Sequence, residues 1–198
     1  TQYKVITTQI LDREVQGKYV LNLTCSDGGW DQHILVHPLT ILVKDENDNE
    51  PIFDKKEYDA NIRENNYVNE FILQVNATDK DTGKNGEVRY RMHSDSGGLF
   101  NINPVTGQIT ADVIFDYEQL QALRFRVIAY DLGDPSFSST ATVMLYITDL
   151  NDEPPRFKQG SYAFGTFENR PAGTEVGSVL AHDPDEGDNE KLIYSLVT

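Results

Sequence analysis

The chain has 198 residues, of which 32 are acidic and 17 basic, for a formal net charge of −15. So acidic a balance argues against nucleic acid as a partner, because that binding needs Lys and Arg to neutralise phosphates, and it suits cations instead. The 38% hydrophobic content is enough for a packed core of domain size, while Cys25, the one cysteine, excludes an internal disulfide.

In chain order, the first chemical feature is Leu11-Asp-Arg-Glu14, followed by a strand in which Tyr19, Leu21, Leu23 and Cys25 alternate with Val20, Asn22 and Thr24. Cys25 shares the phase of the two leucines and reads as core filler. Ser26-Asp27-Gly28-Gly29 turns the chain, and Leu39, Ile41 and Val43 line one face of the next strand. Trp30, His33 and His37, with no cysteine cluster near them, read as packing or solvent residues rather than zinc ligands. The strand stops at Asp45-Glu-Asn-Asp-Asn-Glu-Pro51, a stretch dense in side-chain oxygens.

Glu57 to Asn65 reads as an edge-like strand ending at Glu64. In the next strand Phe71, Leu73, Val75 and Ala77 are expected inward, alternating with Ile72, Gln74, Asn76 and Thr78, before Asp79-Lys-Asp-Thr-Gly-Lys-Asn-Gly86. Val88, Tyr90 and Met92 make another strand, and Phe100 to Gly107 a short strand and a turn. Phe115-Asp-Tyr-Glu118 repeats the early acidic pair, Leu123, Phe125, Val127 and Ala129 form an inward face, and Val143, Leu145 and Ile147 another. Asp149-Leu-Asn-Asp-Glu-Pro-Pro155, Phe167-Glu-Asn169, Asp183-Pro-Asp-Glu-Gly-Asp-Asn189 and the alternation Leu192, Tyr194, Leu196 follow. Short alternating strands with turn signals between them and no helical period predict an all-β fold, a seven-stranded sandwich.

Asp149 lies 104 residues after Asp45, and the same offset carries Glu14 to Glu118, Asp27 to Asp131, Glu64 to Glu168, Asp79 to Asp183, Asp81 to Asp185 and Asn85 to Asn189. Apolar positions obey it too, as with Tyr58 and Tyr162 or Leu39 and Val143. An offset kept in both charge and core is a tandem repeat. It predicts the second half of a unit over residues 1–49, a complete unit over 50–153 and the first half of another over 154–198, the two halves lacking strands to close their sheets.

A hard cation such as Ca²⁺ takes roughly 6 to 8 oxygen ligands, so neither linker heptapeptide can satisfy one alone. An EF-hand loop starting at Asp79 would need Gly at the sixth position and a carboxylate at the twelfth, and those hold Lys84 and Tyr90. The ligands must therefore converge from distant sequence. If Asp12 and Glu14 lie on a strand they face one way, as do Asp116 and Glu118. Carboxylates about 4 Å apart repel by roughly 4 kcal/mol at an effective dielectric near 20, so such clusters imply a resident cation. Paired acids also serve glycoside hydrolysis, but a catalytic pair flanks a substrate cleft and does not recur at a fixed repeat beside a linker, which disfavours an enzyme and a small-molecule substrate. Asn22-Leu-Thr24 and Asn76-Ala-Thr78 fit the glycosylation acceptor pattern and lean towards a secretory route. No apolar run of roughly 18 residues is present, so any membrane anchor is expected outside this stretch.

Together Leu-Asp-Arg-Glu14, Asp-Glu-Asn-Asp-Asn-Glu-Pro51, Arg-Glu-Asn65, Asp79-x-Asp-x-x-x-Asn-Gly86 and Ala-Tyr-Asp131 resemble the extracellular repeats of cadherins, over the whole chain. The resemblance implies tandem seven-stranded Greek-key sandwiches, immunoglobulin-like in architecture, with Ca²⁺ held at each junction between repeats. Carried over by position, the first junction would use Asp12, Glu14, the Glu46 carbonyl, Asn47, Asp48, Asn49, Glu64, Asp79, Asp81, Asn85 and Asp131. The second would use Asp116, Glu118, Asn151, Asp152, Glu153, Glu168, Asp183, Asp185 and Asn189. Asp27 would serve a junction upstream. The first set is then complete, whereas the counterpart of Asp131 in the second falls beyond Thr198. Two departures stand at the second junction: Glu153 replaces the family's Asn, and Glu190 replaces a Gly, which is expected to strain the turn. The implied function is Ca²⁺-dependent cell-cell adhesion by the extracellular part of a plasma-membrane protein, with other cadherin ectodomains as homophilic or heterophilic partners. The alternative is a secreted or matrix Ca²⁺-binding array without an adhesive role.

Overall fold

Alternating apolar and polar residues give strands with one buried face, and two such faces make a core. A computed structural model describes residues 3–197. After a single helical turn, α1 (Arg13–Gln16), come β1 (Lys18–Ser26), β2 (Ile34–Leu42), β3 (Ile52–Phe53), β4 (Glu57–Arg63) and β5 (Phe71–Gln74). Then follow β6 (Ala77–Thr78), β7 (Arg89–Met92), β8 (Phe100–Ile102), β9 (Gln108–Ala111), β10 (Ala122–Tyr130), β11 (Ser138–Thr148), β12 (Arg156–Phe157) and β13 (Ala181–His182).

The fold is an all-β sandwich. One sheet has the order β4-β11-β10-β7, and the opposing layer is made by β5-β9-β8 with the pair β3-β6. Strands β3 and β4 are halves of one strand that switches sheets, and β5 and β6 are two segments of another within the opposing layer, so the seven strands expected appear as nine segments. Between the layers lie Phe125, Val127, Val143 and Leu145 from one sheet and Phe53, Ile72, Phe100 and Ile109 from the other, with the rings of Phe100 and Phe125 stacked 4.0 Å apart. Strand β4 is an edge and runs parallel to β11, Ile62 beside Ile147.

The 104-residue offset is visible in the geometry. Leu21 pairs with Leu39 across β1 and β2 as Phe125 pairs with Val143 across β10 and β11. Tyr58 donates its hydroxyl to the Asn76 carbonyl at 3.3 Å, and Tyr162 to the Leu180 carbonyl at 2.9 Å. Tyr90 and Tyr194 accept from the amides of Ala77 and Ala181 at 2.8 and 2.9 Å.

Several sequence expectations are corrected. A bulge between Phe71 and Leu73 shifts the register, so Phe71 is 53% exposed and Ile72 is the buried residue; the expected phase resumes at Val75 and Ala77. Residues Gln108–Ala111 are a further strand, reached by a tight turn in which Gly107 adopts φ +70 and a Cβ there would lie 2.4 Å from the Val75 carbonyl. Cys25, Leu21 and Leu23 are exposed although the equivalent Ala129, Phe125 and Val127 are fully buried, because among the described residues no second sheet covers β1 and β2. Neither acidic pair lies on a strand: Asp12 caps α1, accepting from the Val15 amide at 3.1 Å, and Tyr117–Gln119 is a turn.

The bulge makes a checkable distinction. Ile72→Ala is expected to lower unfolding free energy by about 2 to 5 kcal/mol, and Phe71→Ala by no more than roughly 0.5 kcal/mol. Denaturant unfolding of the two variants decides it; equal losses would mean the phase assigned here is wrong.

Candidate metal centres at the two linkers

The loop after β6 is wound by its own side chains. Asp79 accepts the Asp81 amide at 2.9 Å, and Gly86 passes so close that a Cβ would sit 2.0 Å from the Asp81 carbonyl. The linker plugs into this loop. Asp45 accepts the Thr82 amide at 3.1 Å and Asn85 Nδ2 at 2.9 Å, while the Asn49 amide donates to Asp81 at 3.1 Å and Asn49 Nδ2 to its other oxygen at 2.7 Å. Asn47 Nδ2 reaches Asp131 at 3.2 Å and the Pro135 carbonyl at 2.6 Å. Asp131 is fully buried and accepts the amides of Gly133 and Phe137, each at 2.9 Å. Carboxylate oxygens of Glu14, Asp45 and Asp81 lie within 4.8 Å of one another, and Asp12, Glu14, Asp48 and Asn49 line one cleft with Lys80.

The second linker repeats four of these bonds. Asp149 accepts the Glu186 amide at 3.2 Å and Asn189 Nδ2 at 2.7 Å, the Glu153 amide donates to Asp185 at 3.3 Å, and Asp183 accepts the Asp185 amide at 3.2 Å. Glu118, Asp149 and Asp185 form the counterpart of the first triple. A further triple joins Glu64, Asp116 and Glu118.

That last triple overturns the expected place of Glu64. Only 2% exposed, Glu64 accepts the Leu150 amide at 2.6 Å and the Tyr117 amide at 2.8 Å, so it belongs with the second linker and not the first. The cause is the parallel pairing of β4 with β11: the end of β4 lies beside the end of β11, where the second linker begins, and the Glu64 amide donates to the Thr148 carbonyl at 3.1 Å. By the same offset Glu168 is exposed and absent from the second cluster. The first set is thereby no longer complete, since the equivalent of Glu64 would precede Thr1.

Asp27 accepts the His33 amide at 3.0 Å and joins neither cluster, and Glu46 is exposed with its carbonyl accepting the Asp48 amide at 3.1 Å. Asn151 and Asp152 are exposed, and the Glu153 side chain pairs with Arg156 at 2.7 Å. Glu190 is not among the residues with positive φ, so the expected strain is absent there; Gly86 is required for close approach, not for its backbone angle. Sequence reasoning left out Asp45 and Asp149 as ligands, although both head their heptapeptides. It also passed over Arg13 and Tyr117, which sit between the paired acids.

Burial and neighbouring charges move several carboxyl groups of the two centres away from their ordinary pKa. Burial raises the Glu64 pKa against the Leu150 amide, with the charges of Asp152, Asp149 and Asp116 adding to it. Glu118 and Asp185 are raised by burial and by neighbouring carboxylates, as is Asp79 by burial, Asp81 and Asp131. Asp45 differs: burial works upward, but the Thr82 amide, Asn85 and Arg13 hold its pKa below the ordinary value. Among the described residues Asn47 Oδ1, Asp79 Oδ2, Asp149 Oδ1 and Asp185 Oδ2 are buried without a hydrogen-bond donor. Unsatisfied buried oxygens in an all-oxygen, multiply charged donor set fit a hard divalent cation.

Comparison with known proteins agrees with this geometry. The Cadherin domain family matches residues 58–148. The chain is 37% identical over 195 residues to the Protocadherin-like wing polarity protein stan of Drosophila melanogaster, covering 98% of the chain and 5% of that protein. It is 38% identical over 208 residues to Protocadherin-8 of Mus musculus, covering 98% of the chain and 19% of that protein. The chain thus spans less than a fifth of the length of these relatives. Among solved structures, protocadherin gammaB7 EC3-6, described as a cis-dimer, superposes with a TM-score of 0.82 at 31% identity over 93% of this chain and 46% of that one. Mouse Cadherin-23 EC22-24 gives a TM-score of 0.78 at 32% identity over 91% and 58%.

The raised carboxyls set a pH dependence. A group whose native pKa lies above its unfolded value costs stability as pH rises through the window between the two. In chelator, Glu118→Gln should therefore flatten the fall in melting temperature that accompanies rising pH above the ordinary carboxylate range of about 4. Parallel curves for the variant and the parent chain would show that Glu118 carries no such penalty.

Proposed function

Because the chain belongs to the cadherin family, we propose that it is a stretch of an adhesive ectodomain whose successive repeats are locked by Ca²⁺ at the two linkers. In this reading residues 50–153 are one whole repeat, flanked by the second half of the preceding repeat over 1–49 and the first half of the next over 154–198. The partners are other cadherin-family ectodomains, and the protein stands outside the cell, anchored in the plasma membrane.

One observation carries the reading: the same three cross-links recur 104 residues apart, from Asp45 and Asn49 to the Asp79–Asn85 loop and from Asp149 and Glu153 to the Asp183–Asn189 loop. Each is a contact between a linker and the loop of the following unit, beside acids from the preceding unit. A bound Ca²⁺ supplies the positive charge that these converging carboxylates lack. Asp12, Glu14 and Asp48 would hold it from the linker side of the first junction, with Asp79, Asp81 and Asp131 opposite. At the second, Glu64, Asp116, Glu118 and Asp152 would face Asp183 and Asp185. The buried carboxylates fix the ligand oxygens in place, so binding is tied to one relative orientation of the units it joins.

Small-angle scattering with Ca²⁺ and then with chelator tests this. Ca²⁺ should give a longer maximum dimension with less interdomain flexibility, and chelator should reverse it. Asp81→Ala should loosen the first junction alone and Asp185→Ala the second. Scattering unchanged by Ca²⁺ in the parent chain would sink the proposal.

A further inference from the structure

In each acidic pair the middle residue differs, and in both it crosses the linker. Arg13, between Asp12 and Glu14, pairs with Asp45 and donates from Nη2 to the Lys80 carbonyl at 2.7 Å, in the loop of the next unit. Tyr117, between Asp116 and Glu118, keeps its ring buried and places its hydroxyl against the carboxylate of Glu186, in the equivalent loop. The two contacts use different chemistry. Arg13 brings a permanent charge into the triple of Glu14, Asp45 and Asp81, whereas among the described residues no Lys or Arg pairs with Glu118, Asp149 or Asp185. The nearest bases in sequence are engaged elsewhere, Arg156 with Glu153 and Lys191 with Asp188.

We propose that Arg13 is a positioning residue, an ion-independent clasp that keeps the first linker partly ordered when Ca²⁺ is absent, and that Tyr117 cannot do the same for the second. A guanidinium has a rigid fork of donors and is always charged, so it can hold a carboxylate and a carbonyl on two elements at once. A phenol offers one neutral donor and leaves the repulsion among Glu118, Asp149 and Asp185 in place. The two junctions would then respond differently to falling Ca²⁺, the second loosening first. This rests on reading the linkers as Ca²⁺ junctions.

Amide exchange at the cross-linking residues separates the possibilities without relying on the outer strands. In chelator, the Asn49 and Thr82 amides should exchange at least about ten-fold more slowly than their counterparts Glu153 and Glu186. Arg13→Gln should abolish that difference, and Arg13→Lys should restore it only in part. Exchange at Asn49 and Thr82 that is unchanged in Arg13→Gln would overturn the clasp, as would equal exchange at both linkers in the parent chain. In saturating Ca²⁺ all four amides should be protected in every variant. If Ca²⁺ protected none of them, the junction reading itself would fail, and the comparison in chelator would still decide the role of Arg13.

Asn76 lies between β5 and β6, outside either strand, with its side chain exposed and free of hydrogen bonds among the described residues. Its backbone is held on both sides, the carbonyl accepting the Asp54 amide at 3.0 Å and the amide meeting the Tyr58 hydroxyl at 3.4 Å. Thr78, two residues on, is exposed too. We infer that Asn76 carries an N-linked oligosaccharide, given the extracellular location proposed above. The donor class is a polyprenyl pyrophosphate oligosaccharide. A bond forms from Asn76 Nδ2 to the anomeric carbon, the bond from that carbon to the pyrophosphate oxygen breaks, the pyrophosphate leaves with the electron pair, and the amide proton passes to a base of the transferase. The chain secreted from animal cells should show Asn76 converted to Asp with heavy-oxygen uptake after peptide-N-glycosidase treatment, and Asn76→Gln should lose the corresponding gel shift. An unlabelled Asn76 in secreted, Ca²⁺-binding protein would overturn the assignment, whereas failure to be secreted at all would instead count against the extracellular reading.

Discussion

Mutual repulsion among carboxylates held close together is the constraint on which the two linkers depend. Glu64, Asp116 and Glu118 share one cluster, and Glu118, Asp149 and Asp185 another, with oxygens inside 4.8 Å. Hydrogen bonds to backbone amides hold these groups but do not neutralise them: Glu64 takes two such bonds and its pKa is still raised. An all-oxygen donor set of this kind suits a hard cation. Where the chain has a cation of its own, at Arg13, the sign changes, and Asp45 is held below its ordinary pKa.

The sandwich exists, for this purpose, to bring chain ends together. Strand β11 delivers Asp149 and the second linker at one end, and the parallel β4 delivers Glu64 to the same end. At the other end β6 runs into Asp79 and Asp81, and β10 runs into Asp131, where Asn47 of the first linker meets it. The sandwich thus carries acids at both poles. If successive repeats are built alike, as proposed above, a linker receives carboxylates from the lower pole of one and the upper pole of the next, and the 104-residue offset is the distance along the chain between like poles.

Much of this was legible in the sequence because repetition is visible without geometry. The offset identifies the acids, and alternation identifies β10 and β11 with their inward Phe125, Val127, Val143 and Leu145. What escaped depends on contacts between distant residues. The bulge that turns Phe71 outward leaves no mark in the pattern Phe71-Ile-Leu-Gln74, where each of the first three residues is apolar. The junction to which Glu64 belongs follows from the parallel direction of β4, and a list of motifs in chain order cannot reveal it. Likewise the acidic pairs look extended by spacing alone, yet Asp12 is a helix cap, because its side chain is better satisfied by the Val15 amide than by solvent.

The separation between core and clusters decides what a change in cation can do. None of the clustered acids belongs to the apolar core, whose members, from Phe53 to Ile147, pack against each other across the two sheets. The linker residues themselves contribute no strand between Asp45 and Pro51, so their order comes from the cross-links to the following loop and from what the acids bind. Relief or return of carboxylate repulsion therefore acts first on the linkers, where few apolar contacts resist it, and only weakly on the sandwich. On the reading proposed above, such a division would make the angle between units the quantity that a bound cation controls. The sandwich core of β3 to β11 would then stay packed while the charge at its two ends changed.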